Sequence, residues 1–394
     1  MNIKETQTNP SILDLSHKDL IKEFIDRGDK KYRADQVWRS LYKDGVRDFG
    51  EITTLSKPLR KSLDTQFTIS PLSVETSLTS SDSSTTKKLF KLHDGELIET
   101  VLMRYEPDGY RKNRKTVCVS TQAACALGCT FCATGQQGFR RNLRVSEIVD
   151  QVIEMDIIAR GEDQEEIELG KRTKGELQGV TNVVFMGMGE PLANYNNTLN
   201  AIRVLNDGQG LSIGARHITV STVGLIPEIE KLAKEDIQVN LAVSLHAPDD
   251  ATRSQTMPIN KRYPIADLIE ACKDYVLRTN RRIFFEYVLL KGQNDSVTQS
   301  HKLGVLLRGL LCHVNLIPVN PTGDGPYERT DLGNAKEFQV GLQEFGIPST
   351  VRMEKGIDIN AGCGQLRARA LENGYMYSWL LIDSFLFIVP IAIG

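Results

Sequence analysis

Three cysteines lie close together in the first half of the sequence, Cys125, Cys129 and Cys132, with the spacing C-x3-C-x2-C. The chain has only seven cysteines in 394 residues, so chance is a poor explanation for this spacing. Disulfides between such near neighbours would be strained and would leave one cysteine over, which favours a metal. Structural zinc sites and cubane iron–sulfur clusters both normally take four ligands. Three local thiolates therefore predict an iron–sulfur cluster with one iron open to another ligand, and zinc is the alternative.

A second group of residues follows segments that are predicted to be strands. Each of these residues alone is as often an ordinary loop residue as a site residue. In a barrel of parallel strands, however, the carboxyl ends of the strands meet at one mouth, where active sites lie. We therefore expect a shared site with the cysteine triplet for Gly189 and Glu190 in the segment GMGEP, and for Ser221, Ser244, Leu245, His246 and Asn320.

The remaining cysteines fall into two kinds. Cys118 lies within a predicted strand, and Cys363 lies between two glycines in the segment GIDINAGCGQL. A cysteine flanked by glycines has a mobile, accessible backbone, which suits a nucleophile. Cys272 lies inside a helical pattern and Cys312 just before an apolar strand, so both are predicted to be core residues.

The elements that must position these residues alternate along the chain from Thr116 onward. Apolar, β-rich segments separated by amphipathic helices predict parallel strands covered by helices, in an open sheet or a barrel. The fold class is α/β, with six βα units and a closing strand. The predicted strands are 116–121, 182–188, 217–222, 239–246, 282–290, 313–320 and 349–353, and the predicted helices are 146–160, 196–207, 227–235, 264–280, 296–310 and 334–346.

The rest of the chain divides into smaller parts. Residues 1–75 are predicted to form a small helical domain, with Ser16 as a helix N-cap. Residues 76–110 form a β-hairpin linker, residues 111–370 the core, and residues 371–394 an apolar tail. Within that tail, residues 379–393 are too short to span a membrane. The charged stretch 161–179 has little periodicity and is predicted to be a surface loop.

Composition excludes several classes of protein. Forty per cent hydrophobic and 25% charged residues are ordinary globular values. With 48 Lys and Arg against 50 Asp and Glu, the chain is not a uniformly basic nucleic-acid coat, although local patches such as 111–115 and Arg140, Arg141 and Arg144 could contact phosphates. Sparse cysteines and an N-terminus without an apolar segment favour the cytoplasm.

The cysteine triplet resembles the signature of the radical S-adenosylmethionine (radical SAM) enzymes. Together with QQGFRRNLRVSEI, SLHAPDD, MPINKRYPI and GIDINAGCGQL, it gives the chain from about residue 11 to about residue 370 a resemblance to the RlmN/Cfr family of RNA adenine methyltransferases. The resemblance implies a partial (β/α)6 barrel of the radical SAM type behind a small N-terminal helical domain. In one departure, Gly362 stands where the family usually has alanine, which loosens the loop before Cys363.

The resemblance also implies a chemistry. One 4Fe-4S cluster per chain would be bound by the triplet, and two SAM molecules would be used per turnover, with SAM contacts from the strand-end residues named above. Cys363 would carry the methyl group, Cys118 would form a disulfide with Cys363 to free the product, and Glu99 or Cys118 would accept the ring proton. A lone glutamate in a strand is, by contrast, ordinarily exposed.

The implied substrates are 23S rRNA and tRNA, methylated at carbon 2 of an adenosine. An external electron donor and a thiol reductant would be partners of a cytoplasmic monomer without stable membrane association. Two alternatives stay open at this point. One is methylation at carbon 8, as in the other branch of the family, and the other is a non-catalytic iron–sulfur or zinc protein that binds RNA.

Overall fold

A computed structural model of the chain describes residues 9–106, 113–319, 326–352 and 356–359. The N-terminal part contains three helices, α1 (His17–Asp26), α2 (Lys31–Tyr42) and α3 (Lys57–Gln66). The backbone N–H of Asp19 donates to Ser16 Oγ at 3.1 Å, which confirms the predicted N-cap. Phe24 and Trp38 are buried in a hydrophobic core that continues into the rest of the molecule. The helices therefore pack directly onto the core.

Three antiparallel strands follow the helices: β1 (Ser73–Thr79), β2 (Thr85–Lys91) and β3 (Leu97–Tyr105). The predicted hairpin around residues 93–95 is β2 and β3. The predicted linker is therefore part of the main sheet, and β1 was not predicted. Because most of β1 is exposed and rich in Ser and Thr, it lacks the apolar alternation by which a strand is recognised.

The main sheet has ten strands in the order β1-β2-β3-β4-β7-β8-β9-β10-β11-β12, and the pairings from β4 onward are parallel. A separate antiparallel pair, β5 and β6, lies between β4 and α5 along the chain. The remaining strands are β4 (Arg114–Cys118), β5 (Gln122–Ala124), β6 (Phe139–Asn142), β7 (Asn182–Phe185), β8 (Ile218–Thr222), β9 (Asn240–Ser244), β10 (Ile283–Leu289), β11 (Cys312–Pro318) and β12 (Ser349–Val351).

Helices cover one face of the parallel strands, which we call the outer face. The helices from β4 onward are α4 (Ala133–Gln136), which lies in the loop between β5 and β6, and α5 (Val145–Glu168), α6 (Tyr195–Asn206), α7 (Ile226–Leu232), α8 (Asp250–Thr256), α9 (Ile265–Thr279), α10 (Val297–Leu307) and α11 (Leu332–Gln343). The predicted partial (β/α)6 barrel is confirmed. Cys272 and Cys312 are buried, as predicted for core cysteines.

The opposite, inner face of the sheet encloses a cavity of about 430 Å³. Cys118 on β4 and Arg352, which follows β12, both line this cavity. In a closed barrel the first and last parallel strands would pair, but among the described strands β12 pairs with β11 and not with β4, and the two lie across the cavity from each other. The barrel is open on that side.

The prediction of a surface loop at 161–179 is wrong for its first half, because α5 continues to Glu168. Asp163 is fully buried and accepts hydrogen bonds from Lys115 Nζ at 2.8 Å and from the Gly179 N–H at 2.9 Å. These partners come from distant parts of the chain, so the local pattern did not reveal them.

In the part of the chain that the structure describes, no helix is long and apolar enough to cross a bilayer. The apolar tail, residues 371–394, lies outside the described residues.

Candidate active site

The cysteine triplet occupies the loop between β5 and β6, beyond the carboxyl end of β4. The Thr130 N–H donates to the carbonyl of Thr256 at the end of α8 at 3.0 Å, so the loop is fastened across the strand ends. A Cβ at Gly135 would lie 3.0 Å from the Cys129 carbonyl oxygen, tighter than ordinary contact. The loop therefore folds back closely on itself and requires a small residue there.

The three thiols influence one another. Burial raises the pKa of Cys125 to about 11 and that of Cys129 to about 12, and in both cases the neighbouring Cys132 raises it further. Within the described ranges, no three His, Cys, Asp or Glu side chains have the geometry of a single bound metal ion. A cubane takes one thiolate per iron, so its ligands need not converge on one ion. Three neighbouring cysteines whose thiolates would repel one another fit a positively charged iron centre.

The GMGEP turn lies directly against the segment that precedes the cysteines. A Cβ at Gly187 would lie 2.5 Å from the Val119 carbonyl oxygen. Gly189 has a φ of +98°, and its Cβ would lie 2.5 Å from Gln122 Cβ. Both positions therefore require glycine. The predicted location of this turn beside the cluster loop is what the structure shows, while its contact with SAM stays a prediction.

Glu190 in the same turn joins the ends of two strands. Its buried carboxylate accepts hydrogen bonds from the Leu192 N–H at 3.0 Å and the Val223 N–H at 2.9 Å, the latter just after β8. Burial raises the pKa of Glu190 to about 7, although these bonds work against the rise. The residue thus fixes the shape of the turn and places a carboxyl group among the strand ends.

Ser221 on β8 and Ser244 on β9 are both half-buried near the carboxyl ends of their strands. Because side chains alternate along a strand, Ser221 lies on the same face as Thr219, which lines the inner cavity, and Ser244 lies on the same face as Asn240, which also lines it. Leu245 is fully buried. The two serines are therefore on the face that a ligand in the mouth of the barrel would meet.

His246 is held rigidly beside the cluster loop. It has a φ of +55°, its Nδ1 accepts from the Val288 N–H at 3.0 Å, and its ring meets Phe131 edge-on with centroids 4.8 Å apart. Burial lowers the pKa of His246 to about 3, with Arg253 lowering it further. The imidazole is therefore neutral, and Nδ1 is the acceptor.

Arg253 is a site residue that the sequence did not reveal. It is fully buried, and its guanidinium donates to the carbonyl oxygens of Val223 at 2.7 Å and Ser244 at 3.2 Å, and so ties together the ends of β8 and β9. Its charge also lowers the pKa of Cys129. The partners are mostly backbone carbonyls of distant segments, which no spacing rule detects.

Glu99 and Cys118 lie on the inner face. Glu99 is 2% exposed, contrary to the expectation for a lone glutamate in a strand, and its Oε2 lies 2.8 Å from Lys87 Nζ. Cys118 is half-buried and ends β4. Burial raises the pKa of Cys118 to about 12, against the opposing effects of a hydrogen bond from the Met186 backbone and the charge of Lys87. Lys87 was not singled out from the sequence.

Two predicted residues lie outside the described part of the chain, Cys363 and Asn320. Cys118 is a free thiol among the described cysteines. The roles of Cys363, Asn320 and a disulfide between Cys118 and Cys363 therefore stay predictions.

The basic residues that were predicted as possible phosphate contacts differ in whether other side chains already bind them. Arg141 donates to both carboxylate oxygens of Glu147 at 2.8 Å and also contacts Asp94, so it stabilises the fold. Lys115 is likewise buried, against Asp163. The Arg140 side chain is 58% exposed and only approaches Glu96, at 3.8 Å. Of these three, Arg140 is the one available to a nucleic acid.

The comparisons with known proteins agree with this arrangement. The sequence profile of the Radical SAM superfamily matches residues 119–302, and that of the ribosomal RNA large subunit methyltransferase N-terminal domain matches residues 10–69. A crystal structure of a radical SAM methyltransferase from Sphaerobacter thermophilus superposes with a TM-score of 0.83 at 46% identity, and it covers 90% of this chain and 98% of that one. Fold and site thus define a radical SAM methyltransferase, which uses a 4Fe-4S cluster and SAM.

Two relatives narrow the class further. A probable dual-specificity RNA methyltransferase RlmN from Alkaliphilus oremlandii is 45% identical over 92% of this chain and 98% of its own length. Its counterpart from Bacillus thuringiensis is 45% identical over 91% of this chain and 94% of its own. The chain belongs to the RlmN family of RNA methyltransferases.

Proposed function

We propose that this enzyme methylates carbon 2 of a specific adenosine in 23S rRNA and in tRNA. The observation that carries the proposal is the arrangement at the barrel mouth. Glu99 and Cys118 line the inner face, and the triplet loop is fastened across the strand ends through Thr130. The dual specificity in the names of the relatives supports two RNA substrates. Those names belong to the carbon-2 branch and give the carbon-8 alternative no support.

The target atom explains why thiols are needed. Carbon 2 of adenine lies between two ring nitrogens and has no lone pair with which to attack the methyl group of SAM. The cluster and SAM together, when bound to Cys125, Cys129 and Cys132 and to the strand-end residues, supply radical chemistry. In our proposal Cys363 carries the methyl group and bonds to the ring, and covalent catalysis divides the reaction into easier steps.

The remaining residues complete the reaction. We assign Glu99 as the acceptor of the ring proton, since it is a buried carboxylate on the inner face. Cys118 then attacks the sulfur of Cys363: an S–S bond forms, the bond between that sulfur and the transferred carbon breaks, and the carbon takes up a proton in place of the one that the Cys118 thiol loses. The methylated RNA is thereby freed and a disulfide remains. Because this disulfide must be reduced before the next turnover, an external thiol reductant is required, and the cluster needs an external electron donor.

The RNA must present an unstacked adenine, because a base within a helix cannot reach the inner face of a barrel. We propose that the helical domain, residues 1–75, and Arg140 hold the RNA while the core, residues 111–370, performs the reaction. We place the enzyme in the cytoplasm as a monomer, where its RNA substrates and thiol reductants are found.

Mass spectrometry of modified nucleosides tests the proposal. RNA from a strain that lacks the enzyme is incubated with the anaerobic holoenzyme, SAM and a reductant. We expect 2-methyladenosine in 23S rRNA and in tRNA. The appearance of 8-methyladenosine instead, or of no modified adenosine in a preparation that cleaves SAM, would overturn the assignment.

Two variants test the thiol roles. Cys363→Ala should keep its iron and lose RNA methylation, because the methyl carrier is gone. Cys118→Ala should accumulate a protein–RNA adduct that denaturing gels detect, since nothing resolves it. Cys312→Ala is the matched control, a buried core cysteine that should behave like the wild type. Free methylated RNA from Cys118→Ala would remove Cys118 from the resolving role.

A further inference from the structure

The structure assigns a role in this reaction to Lys87: we infer that it is a positioning residue, whose ammonium, 2.8 Å from Glu99 Oε2, fixes the Glu99 carboxylate on the inner face. The inference rests on the proposed function, in which Glu99 accepts the ring proton. Lys87 itself need not touch the RNA. It acts through Glu99.

Strand register places the group together. Lys87 on β2 is paired with Val101 on β3, and Val101 is paired with Cys118 on β4, so the three side chains lie side by side on the inner face. Glu99 is two residues before Val101 and therefore shares this face. Its backbone carbonyl accepts a hydrogen bond from Ser120 Oγ at 2.7 Å, which places it just beyond the carboxyl end of β4.

Burying the Lys87–Glu99 ion pair is unfavourable for the stability of the fold. Lys87 is 0% and Glu99 2% exposed, and their charged atoms are 2.8 Å apart. Removing both charges from water costs several kcal/mol per ion, so apolar replacements for a buried pair are often neutral or even stabilising. The same face of these strands carries Leu89 and Val101, both buried and apolar. An ion pair in such surroundings, on the same face as the Cys118 thiol, points to a functional role.

The charged groups that line the inner cavity beside Cys118 are engaged with other partners. The Arg114 guanidinium stacks on the Tyr105 ring at 4.1 Å. The Glu286 carboxylate accepts from Asn315 at 2.8 Å, and burial raises its pKa against the opposing charge of Arg352. Cys118 is the titratable group whose pKa responds to both Lys87 and Glu99. The cation placed to act on Glu99 is therefore Lys87.

The physical role follows from this placement. When the ring proton leaves, the C–H bonding pair stays on the adenine and an O–H bond forms on Glu99, so the carboxylate must be ionised beforehand. Burial favours the neutral carboxyl form, and a nearby ammonium opposes that preference. The ammonium also fixes the direction of the carboxylate oxygens.

The test compares Lys87→Met, which keeps the length of the side chain without its charge, with the wild-type holoenzyme in single-turnover methylation of RNA. Iron content, SAM cleavage and methylation of Cys363 should be unchanged. The rate of product formation at neutral pH should fall tenfold or more, and its rise with pH should move upward by roughly one unit or more. Lys87→Arg keeps the charge and should restore the wild-type pH dependence.

Two controls keep the outcome interpretable. Lys115→Met breaks a buried pair on the outer face and should lower stability without moving the pH profile. The double variant Lys87→Met with Glu99→Gln removes both charges and should be no slower than Glu99→Gln alone. A wild-type pH profile in Lys87→Met, or a further loss of rate in the double variant, would overturn the inference. Wild-type methylation by Glu99→Gln would instead overturn the proposed role of Glu99.

Discussion

Strands β2, β3 and β4 carry buried lysine–carboxylate pairs on both of their faces. On the outer face, Lys115 Nζ lies 2.8 Å from Asp163 of α5 and also donates to the carbonyl of Ala159 in the same helix. On the inner face, Lys87 lies at the same distance from Glu99, but on the same face as the half-buried Cys118 thiol, which lines a cavity. Two pairs of the same chemical kind therefore stand in different surroundings.

On the outer face, the charged side chains form ion pairs that pack α5 against the rest of the molecule. Acidic residues along α5 bind cations from separate parts of the chain: Arg47 binds Asp150 and Glu154, Lys88 binds Glu154, and Arg104 binds Glu162. These contacts join the helical domain, the antiparallel strands and the core. Charge at this helix–sheet contact stabilises the fold, whereas the inner pair lies beside a thiol that lines a cavity. Burial alone does not distinguish the two.

The largest expected effect belongs to the inner face and its mouth. Cys129→Ala should lose bound iron and all detectable SAM cleavage and methylation, because a cubane needs each of its three protein thiolates. Iron and sulfide analysis of the anaerobically purified protein measures the loss. Cys272→Ala, which also removes a buried thiol but from the core, should keep its iron. Equal iron in both variants would end the assignment of the triplet to the cluster.

On the outer face, Lys115→Met should cost stability rather than chemistry. It leaves the Asp163 carboxylate buried without its ammonium partner, and breaking a buried pair costs roughly 3–5 kcal/mol. Arg172 also contacts Asp163 at 2.6 Å, so the loss should fall at the lower end, about 3 kcal/mol. Urea unfolding measures the change. A variant of wild-type stability with reduced SAM cleavage would contradict the division between the two faces.

The acid response of the outer face gives a smaller effect with a definite sign. Burial by itself would raise the pKa of Asp163, but the hydrogen bonds from Lys115 and Gly179 hold it below its usual value. A carboxyl group with a lowered pKa in the folded state adds stability above about pH 4, and that contribution is lost as the pH falls through the folded-state value. Asp163→Asn should therefore flatten the loss of unfolding free energy between pH 4 and lower values.

Asp150 on the same helix provides the opposite case. Burial raises the pKa of Asp150 despite Arg47 and Ser70, so acidification toward pH 4 favours its folded, protonated form. Asp150→Asn should make the loss of unfolding free energy on acidification steeper, whereas Asp163→Asn should make it flatter. Differences from the wild type, measured by urea unfolding at each pH, remove the contributions that all three proteins share. The same sign in both variants would contradict this account.

Much of the architecture could be predicted because its signals are local. Apolar runs mark β7 to β11, and the helical period marks α6 and α9. The end of α5 was missed because residues up to Glu168 are charged, and their cations, such as Arg104, come from far along the chain. The sequence pattern alone therefore resembled a solvated loop.

The residues of the site also divide into those that local sequence signals predicted and those that they did not. The triplet and the glycines of the GMGEP turn could be predicted from the sequence, because a cluster loop and a crowded turn each require particular residue types at neighbouring positions. Arg253 and Lys87 were not visible, because each is defined by partners on other elements: Val223 and Ser244 for one, and Glu99 for the other. A buried cation in a strand or helix carries no spacing signature, and only the tertiary structure identifies it.

The smallest expected effect separates two adjacent arginines of β6. Arg141 is bound to Glu147 and Asp94, whereas the Arg140 side chain is 58% exposed. If Arg140 contacts an RNA phosphate, Arg140→Ala should weaken RNA binding uniformly across sequences, and the slope of log affinity against log salt should fall by about one. Arg141→Ala should instead lower stability, because Glu147 would lose its bidentate partner.

Titrating tRNA into each variant at several salt concentrations, alongside urea unfolding, compares the two arginines directly. Affinity that drops with Arg140→Ala while unfolding is unchanged assigns this residue to the RNA surface. An unchanged salt slope would show that the exposed guanidinium contacts only water, and the phosphate contacts would then have to come from the helical domain. Arg140 and Arg141 thus show the same contrast as the two faces of the sheet. They have the same charge, and the partners of each residue determine its role.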